Sequence, residues 1–206
     1  MESSLQGECL HLWRGERHVL RGVDFKLRQG EVLQVTGANG TGKTSLLRTL
    51  CGLAQPEEGR VLWNGADVKR DLPAYHGSLA YIGHEAPLKA DLTARENLRY
   101  WAGVRRRVSP GELDVALAGT GSAAWADRPI RTLSAGQKRR VALAGLALLG
   151  AALWILDEPA TNLDIEGRDL VARMIQEHTG RGGLVVAAVH HELFPDSAGS
   201  RRIELT

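Results

Sequence analysis

The sequence predicts an α/β fold, with a small antiparallel β subdomain near its N-terminal end and an inserted α-helical subdomain over about 88-134. Three observations predict it. The run Glu31-Val-Leu-Gln-Val-Thr36 reads as a buried strand that empties into a glycine-rich loop and then a helix. A second apolar run, Ala151 to Leu156, ends in the pair Asp157-Glu158, as a buried parallel strand does where it meets a ligand crevice. Between them, Thr93-Ala-Arg-Glu96 and Ser109-Pro-Gly-Glu112 match the capping box that opens a helix, the second with proline at the first helical position.

Taken in order, residues 5 to 36 read as two or three strands and 43 to 51 as a helix. Arg60 to Trp63 is a strand turned by Asn64-Gly65, and Leu79 to Gly83 is another. Pro87 to Thr132 is mostly helical. Val141 to Leu156 is sixteen residues without a charge, but a spanning helix needs about 20 and this run holds Gly145 and Gly150. It is read as the buried part of a helix starting near Ser134, a break at Gly150 and a strand, with no transmembrane helix. A helix from Asp164 to His178, a strand from Gly183 to Val189 and a weakly patterned tail complete the chain, with no internal repeat and no low-complexity linker.

The loop Gly37-Ala38-Asn39-Gly40-Thr41-Gly42-Lys43-Thr44 fits the pattern G-x-x-x-x-G-K-[ST], in the strand, loop and helix context that the pattern requires. Its three glycines let backbone N–H groups turn inward around phosphate oxygens, and the helix start adds the positive end of its dipole. Lys43 supplies a charge near the β- and γ-phosphates, the Thr44 hydroxyl is placed to ligate Mg²⁺, and Ser45 continues the site. Asp157 is the metal-side carboxylate. Glu158 points elsewhere and is the candidate to accept a proton from, or orient, the water that attacks the γ-phosphate. The candidate ligands are ATP and Mg²⁺.

The chain of 206 residues, 43% hydrophobic, is long enough to bury the core of a single domain over 1-206. A formal net charge of +2 is too small to argue for nucleic acid. Arg105-Arg-Arg107 is a local basic cluster, either on a solvated face or against an acidic partner surface. Cys9 and Cys51 lack C-x-x-C spacing, so neither a metal site nor a disulfide frame is suggested, which fits a reducing cytoplasm. Met1-Glu-Ser-Ser-Leu5 carries no export pattern, and the chain is expected to stay where ATP is.

Leu133-Ser-Ala-Gly-Gln137, followed by the apolar strand into Asp157-Glu158, resembles the signature of the ATP-binding cassette family. Ser134 caps the helix that follows and Gly136 permits close backbone approach, so the turn is an anion site in its own right. The resemblance implies a P-loop ATPase core. It also implies a homodimer in which each ATP lies between one phosphate loop and the other copy's Ser134, Gly136 and Gln137. The family's usual pentad is LSGGQ, and this chain has Ala135. Thr161-Asn-Leu-Asp164 resembles the family's D-loop, which places Asp164 at the dimer seam. His190 resembles the switch histidine that contacts the γ-phosphate, with His191 beside it. Where members usually carry glutamine to reach Mg²⁺ and couple to a membrane partner, this chain has His84-Glu85, so His84 is a metal-side and coupling candidate. Trp13 offers a face for adenine or packs on the N-terminal sheet.

Within that family, about Gln34 to His190 resembles the ATP-binding subunits of haem exporters of cytochrome c maturation. The residues that carry this are Gln34 to Gly40, Val61-Leu-Trp-Asn-Gly65, Tyr81-Ile-Gly-His-Glu85 and Leu92-Thr-Ala-Arg-Glu-Asn-Leu98. That subgroup often has glutamine where this chain has Glu85, and Trp13 is not part of its pattern. The resemblance implies a peripheral ATPase at the cytoplasmic face of the inner (plasma) membrane, bound to integral membrane subunits, whose turnover releases a haem-loaded chaperone. The alternatives are the ATPase of another exporter, of lipid, peptide or drug, and a soluble non-transport member of the family. The last would show a second cassette or a long coiled-coil insertion.

Overall fold

The computed structural model describes residues 3–189 and 199–206. They form two sheets. The antiparallel sheet has the order β2-β1-β4-β5 and is built from β1 (Ser4–Arg14), β2 (Arg17–Arg28), β4 (Glu58–Trp63) and β5 (Ala66–Asp67). Asn64 and Gly65 join β4 to β5 with φ of 52° and 80°. That is the left-handed pair a two-residue hairpin turn demands.

The second sheet is parallel, in the order β6-β7-β8-β3-β9, and comprises β3 (Val32–Thr36), β6 (Leu79–Ile82), β7 (Leu153–Asp157), β8 (Leu184–Ala188) and β9 (Ser200–Glu204). Every residue of β7 and β8 is buried, because helices cover both faces. On one face α1 (Lys43–Leu50) packs Leu46, Leu47 and Leu50 among Leu5, Leu27, Leu33 and Val186, and so joins the two sheets in one core. On the other face α5 (Ala135–Leu149) and α6 (Ile165–Gly180) bury Leu143, Leu146, Val171 and Ile175 against Val185 and Leu156. A third cluster joins α3 (Ala94–Gly103), α4 (Pro110–Gly119) and α5 through Leu98, Leu113, Leu117 and Val141.

Helix starts follow from local chemistry. Thr93, Ser109 and Ser134 each complete a capping box with the residue three positions on, and Asp164 caps α6 by accepting from the Gly167 N–H. Gly150, at φ 59°, ends α5 in the left-handed conformation a helix stop favours, and the chain enters β7 three residues later. Among the described residues no helix is long and apolar enough to cross a membrane.

Three features go beyond the sequence reading. The helix α2 (Leu72–Ser78) was not foreseen, although Asp71 caps it through the Ala74 N–H. The weakly patterned tail contains β9, which pairs with β3 along its length. The basic cluster is exposed, yet two of its members are committed. Arg105 Nη2 donates to the His76 carbonyl at 2.8 Å near the end of α2, and Arg106 Nε to the Leu148 carbonyl at 3.1 Å near the end of α5. Helix C-termini, with their unsatisfied carbonyls, attract such cations.

Candidate functional site

The loop between β3 and α1 has Gly37, Gly40 and Gly42 at φ of 140°, 81° and 109°, a region that L side chains avoid. A Cβ on Gly42 would stand 2.5 Å from Val19 Cγ1, and one on Gly37 would collide with the Leu205 carbonyl oxygen. As the N-cap of α1, Gly42 offers no side chain to the first-turn N–H groups, so the helix start is open to an anion. Lys43 is buried. Its ammonium donates to the carbonyls of Gly37 at 2.7 Å and Ala38 at 3.1 Å, which holds the cation inside the loop.

Thr44 and Asp157, 113 residues apart in the chain, meet at this point: Thr44 Oγ1 donates to Asp157 Oδ2 at 2.8 Å. A hydroxyl and a carboxylate oxygen in contact are the hard donors that Mg²⁺ takes alongside phosphate oxygens and water. The residues therefore fit the cation. Asp157 is 2% exposed, and its charge together with burial pushes the nearby Tyr81 hydroxyl up to about 12, burial being the larger cause.

Glu158 leaves the strand at φ 50°, a strained conformation for a side chain of this size. Its N–H donates to the Ala188 carbonyl at 3.0 Å, which anchors the turn to β8. Its Oε2 accepts from Thr161 Oγ1 at 3.1 Å and lies 3.8 Å from Nδ1 of the exposed His84. His84 and Glu158 thus come together in the fold, which their spacing in the sequence does not show.

The residue that holds this region was missed. Arg139 is 4% exposed, and its guanidinium donates to the carbonyls of Pro159 at 3.1 Å, Gly83 at 2.9 Å, Asp157 at 2.6 Å and Glu158. Burial lowers its pKa, while Asp157 and Glu158 oppose that. One fork of donors so fixes both the carboxylate turn and the segment leading to His84. In the sequence it is one of three consecutive basic residues, Lys138 to Arg140, which gives no sign that the middle one is buried.

Ser134 caps α5, accepting from the Gln137 N–H at 3.2 Å, while Gln137 Oε1 accepts from the Ser134 N–H at 2.9 Å. Beside Gly136 the close neighbour is in its own chain. A Cβ there would stand 2.7 Å from the carbonyl oxygen of Asn162, itself at φ 64°. Asp164 caps α6 and accepts from Arg140 at 3.0 Å; the Gly167 N–H, then Arg140, holds its carboxyl below the usual range. His84, Glu85, Leu88, Lys138 and Asn162 line a cleft of about 400 Å³ beside these turns.

Trp13 stacks face to face on His18, centroids 3.9 Å apart and 7° from parallel, and its backbone N–H donates to Glu57 Oε2 at 3.1 Å. His11 Nδ1 lies 3.0 Å from His18 Nε2, so both imidazoles back the same face of the indole. A ring on the opposite face would be held off by the indole's thickness. The packing alternative for Trp13 is thus realised on one face of the half-buried ring. His190 and His191 lie outside the described residues. Together the placed residues can cradle a polyphosphate, hold a hard cation and present one carboxylate to a water molecule.

The family described as ABC transporter matches residues 20–161. The chain is 46% identical over 206 residues to the cytochrome c biogenesis ATP-binding export protein CcmA of Salmonella typhi, covering 98% of this chain and 97% of that one. It is 45% identical over 193 residues to the protein of the same name from Escherichia coli strain K12, covering 94% and 92%. Among solved structures, an ABC transporter ATP-binding protein from Pyrococcus furiosus superimposes with a TM-score of 0.85 at 24% identity, over 98% of this chain and 97% of that one.

Proposed function

The chain belongs to the ABC transporter family of ATP-binding proteins, and on that premise we propose that it is the ATP-hydrolysing subunit of the haem export complex of cytochrome c biogenesis. The reaction is ATP and water to ADP and phosphate. The contact between Thr44 and Asp157, with Glu158 turned aside at the next position, carries the reading, because it joins a phosphate loop to a metal-side carboxylate and a separate base.

The residues divide the work. The loop N–H groups and Lys43 bind and orient the phosphates, and Lys43 neutralises charge that grows on the γ-phosphate and leaving oxygens. Thr44 and Asp157 would hold Mg²⁺, which when bound neutralises phosphate charge and fixes the phosphates' orientation. Glu158 accepts a proton from, or orients, the attacking water, and the Thr161 hydroxyl at 3.1 Å fixes its rotamer. His190, which lies outside the described residues, contacts the γ-phosphate in the role the family resemblance gives it. Trp13 receives the adenine on the face away from His18.

Two copies pack head to tail, so that Ser134, Gly136 and Gln137 of one close over the nucleotide of the other. Residues 88-134 form the helical subdomain that carries Ser134. The cleft between His84 and Lys138 receives an integral membrane subunit at the cytoplasmic face, and His84 links that contact to Glu158. Purification from detergent extracts with the membrane chains retained, followed by haem absorption spectra and ATPase assay, tests the reading. A complex that hydrolyses ATP and carries haem on a membrane or chaperone partner is expected. Stable partners of another transport system would overturn the substrate.

A further inference from the structure

Arg17, the first residue of β2, reaches the phosphate loop from outside: its Nη2 donates to the Gly40 carbonyl at 2.7 Å. Two residues on, and so on the same side of the strand, Val19 presses on Gly42. The start of β2 thus backs the loop at its second and third glycines. In a planar peptide the carbonyl and the following N–H point in opposite directions. With the Gly40 carbonyl drawn outward to Arg17, the Thr41 N–H is turned the other way and donates to the Ala38 carbonyl at 3.3 Å, the same oxygen that Lys43 bonds at 3.1 Å.

We infer that Arg17 is a positioning residue for the nucleotide: by holding the Gly40 carbonyl outward it fixes the Gly40–Thr41 peptide, and with it the Ala38–Thr41 turn that shapes the loop, and it ties the loop to the hairpin that carries Trp13. Cradles of this kind gain affinity when their donors are oriented before the anion arrives. The guanidinium also places a positive charge beside the loop. This inference rests on the loop being the ATP site.

The test uses the whole chain with Mg²⁺, comparing the parent with Arg17→Met, Arg17→Gln and Arg17→Lys. Both neutral variants should raise the KM for ATP, and the Kd for ATP and ADP, by roughly three- to tenfold, the scale of one lost charge-assisted hydrogen bond at an exposed site. Turnover at saturating ATP should stay within about twofold, because the contact is the same in ground and transition states. Arg17→Lys, which keeps charge and a donor, should recover most of the affinity. An unchanged KM in the neutral variants, a fall in kcat alone, or a Lys variant as weak as Met would each overturn the role. If the parent itself fails to bind ATP, it is the reading of the site that fails and not the part given to Arg17. Melting curves show whether each variant is folded.

Discussion

Thr44 Oγ1 and Asp157 Oδ2 stand 2.8 Å apart, joining the end of the phosphate loop to the end of β7. If both hold one cation, removing either should have nearly the effect of removing both, since residues that act as a unit are not additive. Thr44→Ala and Asp157→Asn are each expected to lower Mg²⁺-dependent kcat by roughly a hundredfold, the double variant by little more. Steady-state kinetics against Mg²⁺ concentration check this. Losses that multiply in the double variant would mean separate roles.

Glu158 tests the division between binding and chemistry. Glu158→Gln keeps the shape and the hydrogen bond from Thr161 but removes the proton acceptor. ATP binding should persist and single-turnover hydrolysis should fall by roughly a hundredfold or more. With hydrolysis stopped, ATP should hold the variant as a dimer on size exclusion. Ordinary turnover in this variant would show that another group activates the water.

Trp13 divides the two uses of an indole. A base stacked on a protein aromatic contributes roughly 1–3 kcal/mol, so Trp13→Ala should weaken ATP by about tenfold while leaving tripolyphosphate binding unchanged. Competition titrations with a fluorescent nucleotide separate the two ligands. A variant that melts earlier yet binds ATP normally would show that the ring serves only its stack with His18.

Arg139 should be the most sensitive position outside the phosphate loop. Arg139→Met leaves the buried carbonyls of Asp157 and Pro159, and the half-buried ones of Gly83 and Glu158, without that donor fork. The cost is expected to be roughly 3 kcal/mol, since an unsatisfied buried acceptor is expensive even after the arginine's own desolvation is relieved. Urea unfolding measures it, and ATPase activity should fall further than the loss of folded protein explains. A variant of parental stability would show that water replaces the guanidinium.

Much of the fold was legible because its signals are local. Ser134, Thr93, Ser109 and Asp164 each satisfy a helix start from within four residues, and Gly37 to Thr44 is a contiguous cradle. What escaped was made by distant partners. Arg139 reaches Gly83 across 56 residues and Arg17 reaches Gly40 across 23, and no periodicity encodes which carbonyl an arginine will find. β9 escaped for a related reason. Ser200-Arg-Arg-Ile-Glu204 is short and polar, as suits an edge strand, and only its alignment with β3 makes it a strand. At Gly136 the close neighbour, the Asn162 carbonyl, became apparent only in three dimensions.

The pairing of β9 with β3 brings the Leu205 carbonyl against Gly37, with the Leu205 N–H bonded to the Thr36 carbonyl at 2.9 Å. The last residues described are therefore a wedge behind the cradle's first glycine. Removing 200–206 would take away that wedge and be felt at the phosphate loop, as a loosened grip on its ligand.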